Sequence, residues 1–148
     1  MVKPCTVDAS VFLNAFFPSE AGHRESNRFL RVIQEQGIPV VVPFLLLPEI
    51  AGAVSRIQSN PALARDFTAS LRRLPGLTFI PLDGLVAQAA ADIAADHRLR
   101  GSDSVYAAVA MRFGTTLVTL DREQLRRLEG VVTCRQPSAW IRESSHIG

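Results

Sequence analysis

The stretch Cys5-Thr6-Val7-Asp8-Ala9-Ser10 decides how the rest of the chain is interpreted. Its first three residues form a short run with β-branched members, which predicts a buried β-strand. The run leads directly into a carboxylate and a hydroxyl, and Val11-Phe12-Leu13 then predict a turn of apolar helix. Ligand sites in open α/β sheets lie just beyond the carboxyl ends of the strands. Asp8 is therefore the first candidate for a functional residue.

The size and composition of the chain indicate a globular protein. It has 148 residues, of which 47% are hydrophobic and 20% are charged, and a chain of this length can bury one core of its own. We therefore predict a single domain over residues 1–148. The 16 Lys and Arg residues against 14 Asp and Glu give a formal net charge of +2. This balance permits nucleic-acid binding without requiring it.

Signals for export or membrane insertion are not found in the sequence. The first apolar run meets Asp8 almost at once, unlike a secretory signal. No apolar run reaches the roughly 18 residues needed to cross a bilayer, and the longest, residues 38–48, is interrupted by prolines. The two cysteines, Cys5 and Cys134, fit a reducing compartment. We therefore expect a cytoplasmic protein with no membrane partner.

Strand and helix signals alternate along the whole chain. Short apolar or β-branched runs predict strands, and the stretches between them show helical spacing of apolar residues or helix caps. Strands separated by helices indicate an α/β fold with a mainly parallel sheet and helices on both faces. The order of the strands does not follow from this pattern alone. The five predicted strands are residues 5–7, 38–42, 77–80, 116–119 and 131–133.

Four carboxylates stand at the ends of predicted elements. Asp8 and Asp121 each follow a strand, while Asp103 opens an apolar helix. Glu49 lies early in the helix that follows the second strand. Like charges brought together raise one another's pKa unless a cation neutralises them, and Mg²⁺ or Mn²⁺ is the natural oxygen-binding cation. Since such an ion can polarise a phosphate and activate water, the pattern favours a metal-dependent enzyme.

Each of these acids also has a purely structural interpretation. Asp103 could be only a helix N-cap, and Asp121 could be a turn residue. Glu49 could be a solvated acid on a helix surface. Asp8 is the hardest to explain in this way, because apolar residues flank it on both sides and buried carboxylates are rare unless paired or metal-bound.

Four short motifs follow one another along the chain. They are Val7-Asp8-Ala9-Ser10-Val11-Phe12, Leu47-Pro48-Glu49-Ile50-Ala51, Leu99-Arg100-Gly101-Ser102-Asp103-Ser104-Val105-Tyr106-Ala107-Ala108 and Leu117-Val118-Thr119-Leu120-Asp121-Arg122. In this order and at these spacings they resemble the PIN-domain family, and within it the VapC-type ribonuclease toxins of prokaryotic toxin–antitoxin pairs. The resemblance covers essentially the whole chain.

The resemblance implies a fold, an activity and a cofactor. The sheet order would be 3-2-1-4-5, which places the strand before Asp8 at the point where the order reverses. The activity would be endonucleolytic cleavage of RNA that depends on Mg²⁺ or Mn²⁺. The residues that would act both as catalytic acids and as metal ligands are Asp8, Glu49, Asp103 and Asp121.

Other residues would support this site. Ser10 and Thr119 match hydroxyl positions of the family near the acids. Arg100 and Arg122 are the arginines nearest the acids in the sequence, and they are candidate contacts to RNA phosphates. Ser104 is a small departure, since the family usually has alanine there.

The resemblance also implies partners, namely an RNA substrate, a small antitoxin protein and a second copy of the chain in a homodimer. Two alternatives remain, a catalytically silent PIN-like binding module and a housekeeping RNA-processing nuclease without an antitoxin. The presence of all four acids favours an enzyme. A phospho-receiver domain is disfavoured because the only lysine is Lys3, and an aspartate-nucleophile phosphatase because Asp8-Ala9-Ser10 lacks the second aspartate.

Overall fold

The central element of the protein is the short strand predicted at the start of the chain. The computed structural model describes residues 3–144. In it β1 (Cys5–Val7) pairs with β2 (Val40–Pro43) on one side and β4 (Thr116–Val118) on the other. Outside these lie β3 (Leu77–Ile80) and β5 (Cys134–Arg135). All pairings are parallel and the order is β3-β2-β1-β4-β5, which confirms the predicted α/β fold.

Eight helices accompany the sheet in the part of the chain that the structure describes. Across residues 3–144 none of them is long and apolar enough to cross a membrane. The helices are α1 (Ala9–Phe16), α2 (His23–Glu35), α3 (Leu46–Gln58), α4 (Pro61–Arg73), α5 (Gly84–His97), α6 (Gly101–Phe113), α7 (Arg122–Arg127) and α8 (Pro137–Ser144).

Side-chain caps fix the starts of the helices that flank β3. Asn60 accepts a hydrogen bond from the backbone N–H of Leu63 at 3.1 Å, and Asp83 accepts one from Val86 at 2.9 Å. Asn and Asp suit these positions because their side chains satisfy the free N–H groups of a first helical turn.

Helix α6 is the central helix of the core. Residues 104–110 are all buried, and the helix contacts β1, β2 and β4. Tyr106, with no exposed surface, is among the largest fully buried side chains. This confirms the apolar, buried helix that the sequence predicts, and it places the first turn of α6 beside the carboxyl ends of the central strands.

Helix α8, the last helix of the described residues, packs against α2. Trp140 of α8 packs edge to face against Phe29 of α2, with 5.1 Å between ring centroids and 86° between ring planes. Both side chains are buried. Aromatic pairs in this geometry contribute about 0.5–1.5 kcal/mol beyond the burial of their area.

Two predicted strands need correction. The last strand is not residues 131–133, because the N–H groups of Val131 and Val132 both bond back to the carbonyl of Leu128 at the end of α7, at 2.9 and 3.3 Å. The residues that pair with β4 are therefore Cys134–Arg135. The second strand was predicted over residues 38–42 and forms at Val40–Pro43, since Ile38 donates its N–H to the end of α2 instead.

Candidate functional site

Asp8 lies directly beyond the central strand. Its backbone N–H extends the β-ladder by donating to the carbonyl of Val118 at 3.0 Å. The carboxylate caps α1 by accepting the N–H of Ser10 at 3.2 Å, and it accepts the hydroxyl of Thr119, also at 3.2 Å. The residue is only 6% exposed. Asp8 is thus a buried carboxylate that two segments of the chain hold in place.

The two hydroxyls near Asp8 join the turn after β1 to the turn after β4. Ser10 Oγ lies 3.4 Å from Thr119 Oγ1 and accepts the N–H of Leu120 at 3.1 Å. Thr119 Oγ1 in turn accepts the N–H of Asp121 at 3.0 Å. The structure therefore places both hydroxyls beside Asp8 and brings Asp121 close to them.

Glu49 comes from the first turn of α3. One carboxylate oxygen, Oε1, accepts a hydrogen bond from the hydroxyl of Tyr106 at 2.7 Å. Burial raises the pKa of Glu49, the Tyr106 hydrogen bond opposes this, and the charges of Asp8 and Asp103 raise the pKa further. Glu49 is therefore a half-buried acid in contact with the core helix, and not a solvated one.

Asp103 lies in the first turn of α6 and is not its N-cap. The helix begins at Gly101, one or two residues earlier than predicted, and Arg100 occupies the cap position. Asp103 Oδ1 accepts the side-chain amide of Gln124 at 2.8 Å, while Oδ2 is buried without a hydrogen-bond partner. Burial raises the pKa of Asp103, as do Asp121 and Asp8, and Gln124 and Arg100 lower it.

Asp121 is the N-cap of α7, whereas its structural interpretation from the sequence was a turn residue. Its Oδ1 accepts the N–H groups of Glu123 at 2.8 Å and Gln124 at 3.2 Å. Its Oδ2 lies 3.9 Å from the guanidinium of Arg100, which is also 3.7 Å from Asp103 Oδ2. One exposed arginine therefore links two acids that come from different helices.

Three of the four acids share one cavity. Asp8, Glu49 and Asp103 line a space of about 390 Å³, together with Ser10. Asp121 does not line this cavity, although its negative charge raises the pKa of Asp103. The acids lie close enough to perturb one another electrostatically, as expected for side chains collected at one edge of a parallel sheet.

The donor set suits a hard divalent cation. Carboxylate oxygens are the ligands that Mg²⁺ and Mn²⁺ prefer, and Asp103 Oδ2 offers such an oxygen without a hydrogen bond. Among residues 3–144, no group of three or more His, Cys, Asp and Glu side chains could hold a metal ion as it stands. The residues that would hold such a cation are Asp8, Glu49 and Asp103, which line one cavity.

Comparison with known protein families identifies the fold. The family model described as the PIN domain matches residues 5–131. The chain belongs to the PIN-domain family. A comparison with the sequences of curated proteins finds no significant match.

Several solved structures are similar to this chain in fold. VapC20 of Mycobacterium tuberculosis, described as a toxin that cleaves the sarcin-ricin loop, is 16% identical, with a TM-score of 0.70 over 82% of this chain and 93% of that one. A chain of VapBC2 from Rickettsia felis, bound to promoter DNA, is 12% identical, with a TM-score of 0.68 over 89% and 97%. FitAcB from Neisseria gonorrhoeae is 21% identical, with a TM-score of 0.68 over 90% and 97%. At these identities the similarity shows the fold alone.

The two arginines expected to contact RNA phosphates, Arg100 and Arg122, stay predictions in this PIN domain, and the structure adds a third arginine near the acids. Arg100 lies beside the acids, whereas Arg122 is exposed at the start of α7 and makes no hydrogen bond or ion pair within residues 3–144. Arg56 of α3 was missed, yet it lines the cavity of the acids. A Cβ atom on Gly52 would lie 3.1 Å from Arg56 Nη1, so the glycine leaves room for the guanidinium. The seven-residue spacing of Glu49 and Arg56, which places both on one helix face, was the available signal.

Two neutral partners of the acids were also missed. Tyr106 follows Asp103 by three residues on α6, so their shared helix face could have been predicted. Gln124 follows Asp121 by three residues, which is the spacing of a helix capping box. Neither signal indicates that Tyr106 reaches Glu49 or that Gln124 reaches Asp103, because each contact joins elements far apart in the sequence.

Proposed function

We propose that this PIN-domain protein is an endoribonuclease that cleaves RNA phosphodiester bonds with Mg²⁺ or Mn²⁺ as cofactor, and that it is the toxin of a cytoplasmic toxin–antitoxin pair. The observation that carries the proposal is the shared cavity of Asp8, Glu49 and Asp103, with Asp121 joined to Asp103 through Arg100. The RNA-cleaving toxin VapC20 has the same fold, which supports the choice of substrate.

Each part of the site has a separate task in this proposal. Asp8, Glu49 and Asp103 would hold the cation, with Asp121 beside them. When bound, the cation polarises the phosphate, stabilises negative charge on its oxygens and activates water. Ser10 and Thr119 hold Asp8 in place. The thiol of Cys5 is not a candidate nucleophile, because burial raises its pKa to about 12.

A cleavage assay tests the activity. The purified protein is incubated with a structured RNA that contains single-stranded loops, in the presence of Mg²⁺, Mn²⁺ or EDTA. Loops are the expected targets because a flexible backbone can enter a narrow acidic groove. We expect cleavage with either ion and none with EDTA. Cleavage that persists in EDTA would contradict metal dependence, and RNA binding without cleavage under any condition would identify a silent binding module.

We predict that Arg56 contacts a phosphate of the bound RNA. The exposed Arg56 guanidinium lines the acid cavity. Within residues 3–144 it forms no ion pair and no hydrogen bond. Arg56→Ala should weaken RNA binding and reduce the slope of log affinity against log salt by about 1, as loss of one phosphate contact does. Fluorescence anisotropy in EDTA measures this binding without cleavage.

The matched control for Arg56 is Arg65→Ala, because Arg65 is an exposed arginine on the neighbouring helix α4 and does not line the cavity. We expect its affinity and salt slope to equal those of the wild type. Equal slopes for both variants would show that Arg56 makes no phosphate contact.

An apolar groove supports an antitoxin partner. Two adjoining cavities of about 350 and 310 Å³ lie along α1 and α2, the larger bordered also by β2 and β3 and the smaller by α4, and they share Phe12, Asn27, Leu30 and Leu74. Such a groove fits the apolar face of an amphipathic helix, and a solved structure of similar fold from Klebsiella pneumoniae is described as a toxin–antitoxin complex. We propose that the occupant is a helix of an antitoxin encoded by the adjacent gene. Failure of that gene product to co-purify with the wild-type protein would favour a housekeeping nuclease.

A second apolar surface supports the homodimer. Leu82 and Leu85 near the start of α5 are 54% and 73% exposed, and Met111 near the end of α6 is 48% exposed. An ion pair of 3.5 Å between Arg112 and Asp83 brings these ends together. Contiguous exposed apolar surface commonly marks an interface. Light scattering at several concentrations tests the proposal, since a monomer at every concentration would contradict it.

A further inference from the structure

Gln124 is a buried amide next to the acids. The residue has no exposed surface. Its Nε2 donates to Asp103 Oδ1 at 2.8 Å, while its Oε1 is buried without a hydrogen-bond partner. Turning the amide over would place Oε1 against a carboxylate oxygen, so the donor orientation is the favourable one. An unpaired buried oxygen is unfavourable for stability, and packing alone would therefore favour an apolar side chain here.

Helix capping does not explain why position 124 is a glutamine either. Asp121 is the N-cap of α7, and Gln124 stands at the position whose side chain normally reaches back to the backbone N–H of the N-cap. In this protein the N–H of Asp121 donates to Thr119 Oγ1 at 3.0 Å. That donor is already satisfied, and the side chain of Gln124 reaches α6 instead.

The contact with Asp103 leaves one carboxylate oxygen available. Gln124 occupies Oδ1, and Oδ2 remains buried without a hydrogen bond. Because the amide is neutral, it orients the carboxylate without cancelling its charge. The backbone N–H of Gln124 also donates to Asp121 Oδ1 at 3.2 Å. Gln124 therefore links Asp103 through its side chain and Asp121 through its backbone.

We propose that Gln124 is a positioning residue for divalent-cation binding, which holds Asp103 with Oδ2 free of hydrogen bonds, 3.7 Å from the exposed guanidinium of Arg100, and fixes its spacing from Asp121. This inference rests on the proposed function, since the role of Asp103 as a metal ligand belongs to that proposal. Partners that orient a metal ligand typically contribute 10- to 100-fold to metal affinity.

The test measures Mn²⁺ affinity by calorimetry or electron paramagnetic resonance. Gln124→Met has similar length and lacks the donor, and Gln124→Leu is a second apolar replacement. We expect both to bind Mn²⁺ about 10- to 100-fold more weakly than the wild type. We expect only a small change of their Tm in EDTA, because each substitution removes the unpaired Oε1 but also takes the hydrogen-bond donor away from Asp103 Oδ1. Excess Mn²⁺ should restore RNA cleavage.

The matched control is Gln88→Met. Gln88 is exposed on α5 and donates to the carboxylate of Asp92 at 3.1 Å, so it forms the same kind of pair away from the cavity. Its removal should leave Mn²⁺ affinity unchanged. Wild-type affinity in both Gln124 variants, or a clear loss of their Tm in EDTA, would overturn the inference. Absence of Mn²⁺ binding by the wild type would instead refute the proposed function.

Discussion

Replacement of Asp8 or Asp103 by Asn is expected to lower metal-dependent RNA cleavage by at least about 100-fold, because even residues that only support a metal ligand contribute about 10- to 100-fold. Asn keeps the size of the side chain and removes its charge. Asp8 is only 6% exposed, and Asp103 carries the buried oxygen without a hydrogen bond. Initial rates on a fluorescent RNA hairpin with saturating Mg²⁺ measure the effect.

Two controls accompany these variants. Asp92→Asn removes an acid of α5 that accepts a hydrogen bond from the side chain of Gln88, and cleavage should not change. Ser10→Ala removes a hydroxyl beside Asp8 and should reduce the rate by about 10- to 100-fold without abolishing it. Complete loss in Ser10→Ala together with activity in Asp8→Asn would indicate a covalent mechanism and exclude ours.

The same acids should make metal binding sensitive to pH. Burial and neighbouring acids raise the pKa of both Glu49 and Asp103, so these groups take up protons at a higher pH than ordinary carboxyls do. Protons therefore compete with the cation, and Mn²⁺ affinity should fall as the pH is lowered, starting above the ordinary carboxyl range. Asp103→Asn should weaken this pH dependence. A pH-independent affinity would contradict the assignment of these two ligands.

Phe29→Ala is expected to lower the free energy of unfolding by about 3–5 kcal/mol, the usual cost of truncating a buried aromatic side chain. Phe29 has no exposed surface, and its ring packs against Trp140. The substitution leaves a cavity between α2 and α8 and removes an aromatic contact. Urea unfolding followed by tryptophan fluorescence is a direct measurement, because Trp140 is the only tryptophan.

Phe113→Ala is the comparison for this experiment. Phe113 ends α6 with 41% of its surface exposed, and substitutions at such surface positions usually change stability by no more than about 0.5 kcal/mol. If Phe29→Ala were no more destabilising than Phe113→Ala, the packing of α8 on α2 would not contribute to stability.

Strand bounds could be predicted from the sequence where the residues with a strand-like pattern are also the residues that pair with a neighbouring strand. The bounds of β1 and β3 follow from short apolar runs that end at a polar residue or a proline. Val131 and Val132 have the side chains of a strand, but a left-handed Gly130 returns the chain to the end of α7. The strand propensity of valine does not reveal such a backbone hydrogen bond, because the surrounding structure can outweigh the propensity of the side chains.

The candidate site was predictable to a similar degree. Acids that stand at the ends of elements can be found from the sequence, because strand and helix boundaries are marked by local signals. The contact between Tyr106 and Glu49 spans 57 residues, and the contact between Gln124 and Asp103 spans 21. Such partners depend on how helices pack and not on local spacing. The strand order likewise came only from the resemblance to a family.

The central position of β1 has a consequence during translation. The hydroxyl that orients Asp8 belongs to Thr119, which is synthesised 111 residues after it. At a synthesis rate of about 5–20 residues per second, this interval is roughly 6–22 s. Throughout that time β1 lacks one of its two neighbours and the acids cannot be collected at one sheet edge. A growing chain that has not yet reached Thr119 therefore carries no assembled site, and the nuclease we propose would arise only after that residue has been added.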